Sequence, residues 1–124
     1  MIIKIPFKTP TINHLYGQRG SMRFLKREAK ELKVKIKDIV NTYLETHSTG
    51  IPVGVVPVKV TTYIYEDWYC KNGTVKRVDI ANREKFLIDS VFDALGIDDK
   101  FIFEHTMIKR QSTNNYAVIE ISPL

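Results

Sequence analysis

The chain of 124 residues is 44% hydrophobic and 27% charged, so it has the composition of a folded protein rather than a disordered tail. One domain spanning residues 1–124 is expected at this length, burying about two-thirds of the surface of the unfolded chain. The net charge of +5 points to a polyanionic partner, nucleic acid first among them, and Cys70 as the only cysteine excludes an internal disulfide. The N-terminus has no secretion-signal pattern and no apolar run reaches membrane-spanning length, so the expected location is the cytoplasm, with no membrane partner.

Ile3 to Phe7 alternates apolar and basic residues around Pro6, which predicts a short edge strand. A polar, turn-rich loop follows from Thr9 to Ser21, carrying Tyr16 and Arg19 where they can lie along a phosphate backbone. With Ser21 as N-cap, the apolar positions Leu25, Ala29, Leu32, Ile36, Ile39, Val40 and Tyr43 predict a long amphipathic helix to about His47. Its other face is crowded with lysine and arginine. Arg23, Lys26 and Arg27 stand nearest the loop and are the expected phosphate contacts, whereas the distal lysines read as a solvated face with pairs such as Glu31 and Lys35.

Residues 48–54 read as a turn, and Val55 to Tyr65 as a central strand with Val58, Val60, Thr62 and Ile64 on one face. Asn72-Gly73 is a hairpin signal. Asp79 is placed to cap a second helix lined by Ile80, Leu87, Ile88, Val91, Phe92 and Leu95 and closed by Gly96. Phe101 to Lys109 and Tyr116 to Ile121 read as two antiparallel strands. The expected architecture is α+β, a small mixed sheet packed with two main helices.

Isolated carboxylates bracket that second helix: Asp79 before it, Asp98 and Asp99 after it. Such acids meet if a following strand returns beside the preceding one, and Asp79 and Asp99 would then offer oxygen ligands to a divalent ion such as magnesium. Lys85 is the natural cation to stabilise charge at a phosphate, and Asn82 and Lys85 project near Asp79 at the start of the helix. The alternative for each residue is structural: Asp79 as a helix cap contributing roughly 1 kcal/mol, Asp98-Asp99 as a solvated turn, Lys85 as a surface lysine, Asn82 bonding back to the helix start. His14, His47 and His105 show no metal-ligand spacing and read as surface or packing residues, and Cys70 reads as structural. Tyr63, Tyr65, Trp68 and Tyr69 are assigned to core or interface rather than to base stacking. Arg19, Arg23, Lys26, Lys71, Lys76 and Arg77 are the expected contacts to a nucleic-acid backbone.

The order Asp79-Ile80-Ala81-Asn82, Lys85, a helix, then Asp98-Asp99 before an apolar strand resembles the RusA family of Holliday-junction resolvases, whose motif is D-x-D-N-x-x-K followed by D-D-x-x-I/V. Ile5-Pro6 and Thr11 to Tyr16 resemble the family's proline-rich N-terminal loop, which adds Asn13 and Tyr16 to the expected DNA contacts. The resemblance covers nearly the whole chain. It implies an α/β endonuclease that nicks four-way DNA junctions as a homodimer with magnesium, manganese substituting. By position it implies Asp79 and Asp99 as metal-binding acids, Lys85 as the catalytic lysine and Asn82 as the motif amide. Ala81 stands where the family has its middle acid, so one carboxylate is missing; Asp98 or Glu104 are the candidates to replace it. Two alternatives follow: a junction-binding protein with weakened or lost cleavage, and a small RNA-binding or ribonucleolytic protein. Edge pairing through residues 55–65 or 116–121 is expected to join the dimer.

Overall fold

A computed structural model describes residues 1–11, 16–19, 22–47 and 56–124, with 16–19 and 22–25 described through their backbone alone. Six strands and two helices follow in the order β1 (Ile2–Ile5), β2 (Tyr16–Arg19), β3 (Met22–Leu25), α1 (Arg27–Thr46), β4 (Val58–Glu66), α2 (Ile80–Leu95), β5 (Ile102–Gln111) and β6 (Tyr116–Pro123). The main sheet has the order β1-β6-β4-β5 and is mixed, with β4 parallel to β5 and antiparallel to β6. Since parallel neighbours cannot be joined by a tight turn, α2 serves as the crossover between β4 and β5.

Strand alternation decides which face of the sheet is covered. Val58, Val60, Thr62 and Ile64 of β4 are buried, as the sequence predicts, while the residues between them are exposed or half-buried. Val58 and Val60 share one core with Ile3 and Ile5 of β1, Ala117, Ile119 and Ile121 of β6, Ile36 and Val40 of α1, and Leu87, Val91 and Phe92 of α2. Both helices thus pack on the same face. On the other face Tyr65 stacks on Tyr116 at 4.2 Å between ring centres, with Lys4 over the Tyr116 ring and Arg110 over that of Tyr63.

Four sequence expectations change. The first helix begins at Arg27 rather than after Ser21, because Met22–Leu25 pairs with Tyr16–Arg19 in an antiparallel hairpin, so part of the expected loop and of the expected helix is strand. Gly20-Ser21 between two short runs is the hairpin signal that the helical spacing masks; Ser21 itself lies outside the described residues, as does the expected turn at 48–54. Lys26 takes the cap position without a side-chain hydrogen bond, and Arg27 rather than Lys35 pairs with Glu31, at 3.1 Å. The last two strands are not neighbours: β4 lies between them, and the step across it is fastened where the Ser112 amide donates to the Glu66 carbonyl at 3.0 Å. In consequence β4 and β6 are hydrogen-bonded on both sides and have no free edge, which excludes the expected edge pairing through either; among the described residues the open edges of this sheet are β1 and β5.

Other local readings agree with the structure. At Asn72-Gly73 the chain reverses, with Gly73 at φ 85° and the Cys70 amide donating to Thr74 O at 2.7 Å. Cys70 is exposed, so its contribution to this turn is through its backbone and not through a packed thiol. Trp68 is buried and its indole N–H donates to the Arg110 carbonyl at 3.0 Å. Asp67 accepts from the Gln111 amide and from the Tyr69 N–H, and these bonds hold its carboxyl below the usual carboxylate range. Among the described residues no helix is long and apolar enough to cross a membrane.

Gly96 ends α2 in the left-handed region at φ 71°, its amide bonding back to Phe92 and Asp93 carbonyls. A Cβ there would meet nothing within 4 Å, so the cost of substitution is conformational alone. Gly96→Ala is expected to lower the unfolding free energy by about 1 kcal/mol, and Gly96→Asn by less, measured by urea denaturation.

Candidate active site

Helix α2 is amphipathic with a complication: its buried residues include Arg83 and Glu84. Glu84 falls on the apolar stripe, four residues after Ile80 and four before Ile88, so helical periodicity carries a carboxylate inward. Burying a charge without a partner is costly, and both residues are paired to the sheet.

Arg83 reaches the end of β4. Its Nε donates to Glu66 Oε1 at 3.1 Å and its Nη1 donates to the Thr9 carbonyl at 2.9 Å, while Thr9 Oγ1 donates back to the Arg83 carbonyl at 3.4 Å. Lys8 stands 3.8 Å from the other Glu66 oxygen. The clamp joins residues 8–9, 66 and 83 and frames a cavity of about 420 Å³ lined by Lys8, Thr11, Arg77, Val78, Asp79, Asn82 and Arg83. Asp79 caps α2 here, its Oδ1 accepting from the Ala81 amide at 3.0 Å. With Lys8, Arg77 and the helix N-terminus around it, this cavity suits an anion.

A second cavity, about 400 Å³, lies along the next face of α2. Ala81, Glu84, Lys85 and Ile88 line it from the helix, and Asp99, Ile102, His105 and Met107 from the segment leading into β5 and from β5 itself. Across it Glu84 Oε2 and His105 Nε2 are 2.8 Å apart, the Glu84 side chain 4% exposed and that of His105 29%. Lys85 Nζ bonds to Asp89 Oδ1 at 3.0 Å. Asp99 also borders a neighbouring cavity of about 530 Å³ with Lys33, Asp89, Asp93 and Asp98, where Lys33 bridges α1 to Asp93 of α2 at 2.7 Å.

The expected site residues therefore divide. Asp79 and Asn82 share the basic cavity; Lys85 and Asp99 share the next one; Asp98 lies beyond, its Oδ1 accepting from the Lys100 amide at 2.9 Å. Strand β5 does return beside β4, but Val78, next to Asp79, meets Lys109 late in β5, whereas Asp99 precedes its start. Glu104 is turned away from α2: it opposes Lys59 in the register and approaches it to 3.8 Å on the open face. Alternation then directs its neighbour His105 toward α2. Among the described residues no three acidic, histidine or cysteine side chains are grouped to hold a metal ion, so the residues do not fit a three-ligand centre of the kind the motif implies.

Of the expected DNA contacts, Lys71 and Arg77 are exposed and Lys76 half-buried on the hairpin before α2, and Lys26 is exposed at the start of α1. Tyr16 and Arg19 lie in β2 and Arg23 in β3, off the helix that was expected to present Arg23. Asn13 and His14 lie outside the described residues, and His47 stacks on Tyr43 at the end of α1. Sequence reasoning missed Glu66, Arg83, Glu84 and His105. Glu66 had a signal, since it continues the buried alternation of β4, and so did Glu84 on its apolar stripe.

A sequence model of the family described as Endodeoxyribonuclease RusA matches residues 6–122, which includes both cavities, the clamp and every strand except β1 and the last residue of β6. The chain belongs to the RusA family. No individual curated protein matches the sequence. Membership implies the nuclease activity of Holliday-junction resolvases, hydrolysis of DNA phosphodiester bonds, and a branched-DNA substrate.

Because Arg83 and Glu66 are both buried, removing Arg83 leaves the Glu66 carboxylate with only Lys8, 3.8 Å away, to offset its charge. Arg83→Met is expected to cost about 3–5 kcal/mol of stability, and adding Glu66→Leu to recover most of it; equilibrium unfolding of the single and double variants checks both.

Proposed function

We propose that the protein is a structure-selective, magnesium-dependent endonuclease that resolves four-way DNA junctions by paired, symmetric nicks during recombination and repair. The observation that supports this best is the presence of Lys85 and Asp99 in one cavity beside the basic cavity of Asp79, within a chain of the RusA family. Backbone phosphates are attracted first by charge, with Lys8, Arg77, Lys71 and Lys76 around the start of α2. A phosphate seated at the helix N-terminus leaves the next phosphodiester to be met by Lys85, whose ammonium favours the charge that develops on the phosphate oxygens. Recognition is of junction shape, since no base-reading helix motif is present in the sequence.

Two equivalent cuts call for two equivalent sites, and a two-fold homodimer supplies them. Magnesium, or manganese in its place, is expected to bind through few protein oxygens, either at Asp79 or at Asp99 with Asp98, which border different cavities, with water and phosphate completing the shell. A second reading has its own observation: Ala81 lines the Lys85–Asp99 cavity with a methyl group where the family motif has a carboxylate. On that reading the protein binds junctions and cleaves them weakly or not at all.

A labelled four-way junction incubated with purified protein separates the two. Paired nicks that appear with magnesium or manganese and vanish with chelator support the nuclease; a retarded complex never nicked at any metal concentration supports the binder. In the nuclease case Asp79→Asn and Asp99→Asn are expected to abolish nicking with junction binding equal or tighter, and Lys85→Ala to slow it by about 100-fold or more with little change in affinity. Normal turnover in any of the three contradicts the assignment of that residue.

The gap at Ala81 gives a gain-of-function test. Ala81→Asp is expected to lower the magnesium concentration needed for half-maximal nicking and to leave the fold intact, because the position is exposed and an acid in the first turn suits the helix dipole. Metal titration of nicking in the two proteins checks it.

A further inference from the structure

The nuclease reading leaves one pair of groups without a part. Glu84 is a carboxylate with 3% of its surface exposed, on a helix face otherwise apolar, and its hydrogen-bonding partner is the ring of His105. A carboxylate placed there only for stability would be better replaced by leucine, since a buried ion pair seldom exceeds a packed apolar pair of the same volume. The pair opens onto the cavity of Lys85 and Asp99, next to the methyl group of Ala81.

We infer that His105, held by the buried carboxylate of Glu84, is the group that accepts the proton of the attacking water in the Lys85–Asp99 cavity. The inference rests on the nuclease reading above. An ionised Glu84 can only accept, so it fixes the ring hydrogen on Nε2 and leaves Nδ1 as the basic nitrogen. The same carboxylate stabilises the imidazolium once it forms, and a buried partner keeps the ring from turning. Two further charged side chains share the cavity with the ring: Lys85 from α2 and Asp99 from the turn before β5, while Glu104 and Lys59 pair on the far side of the sheet.

The step balances without an additional reagent. As the water oxygen bonds to phosphorus, its proton passes to Nδ1 of His105 and the bond from phosphorus to the departing sugar oxygen breaks. That oxygen takes a proton from solvent, or from the Lys85 ammonium, which solvent then reprotonates, and His105 returns its proton to solvent. A chain that lacks the middle carboxylate of its motif gains in this way a proton acceptor from the facing strand, at a position that strand alternation directs to the same cavity.

The test measures single-turnover nicking of a four-way junction with magnesium or manganese, alongside junction binding in chelator and thermal unfolding of each variant. His105→Gln is expected to lose about 100-fold in rate with binding unchanged, and added imidazole is expected to restore nicking to His105→Gly. Glu84→Gln, which keeps shape and a polar contact, is expected to lose rate less than His105→Gln. A His105→Gln variant that is folded and nicks within threefold of wild type, or a His105→Gly variant that imidazole does not rescue, overturns the role of His105 while leaving the nuclease reading in place. Absence of wild-type nicking with either metal overturns that reading and the role together.

Discussion

Two adjacent charged residues on the buried side of α2 govern how this structure is assembled. Arg83 and Glu84 lie in the second turn of a helix packed against the sheet, where neither can be left unpaired. The arginine is matched at the end of β4 by Glu66 and the glutamate midway along β5 by His105. These two matches set the helix against the two parallel strands it connects. They also draw in the N-terminal segment, because the guanidinium that holds Glu66 donates at the same time to the Thr9 carbonyl.

The consequence for the surface is two different cavities along one helix. On the side toward Arg83 a cavity is lined by Asp79, Asn82, Arg77 and Lys8, whose cations and helix N-terminus suit an anion. The side toward Glu84 carries Lys85 and faces Asp99 and His105, groups able to stabilise charge and move a proton. Successive residues of α2 open onto the two cavities, Ala81, Glu84 and Lys85 onto one and Asn82 and Arg83 onto the other. The apolar core beneath, from Leu87 to Leu95, holds both in place.

Much of this architecture is legible in the amino-acid sequence. The strand of β4, the Asn72-Gly73 reversal, the limits of α2 with Asp79 and Gly96 at its ends, and the family itself follow from alternation, helical spacing, capping chemistry and motif order. What is not legible involves partners distant in sequence. That β4 separates β5 from β6 depends on a non-local pairing that no local pattern encodes. The hairpin of β2 and β3 is obscured because Leu25 continues the helical spacing of Ala29 and Leu32 by coincidence. His105 looks isolated along the chain because its partner lies 21 residues away on another element. Motif order groups the acids, while the structure distributes them over neighbouring cavities, a matter of where each backbone segment passes and not of residue type.

The central claim is that buried charge on α2 orients the groups of the sheet that face it, and the state of the His105 ring reports on this most directly. A long-range proton–nitrogen correlation spectrum of the protein, recorded over a pH series, distinguishes the two ring nitrogens of the neutral form. The account predicts a hydrogen on Nε2, a bare Nδ1, and a mixture of both tautomers in Glu84→Gln. A ring protonated on Nδ1, or one indifferent to the loss of the Glu84 charge, would contradict it.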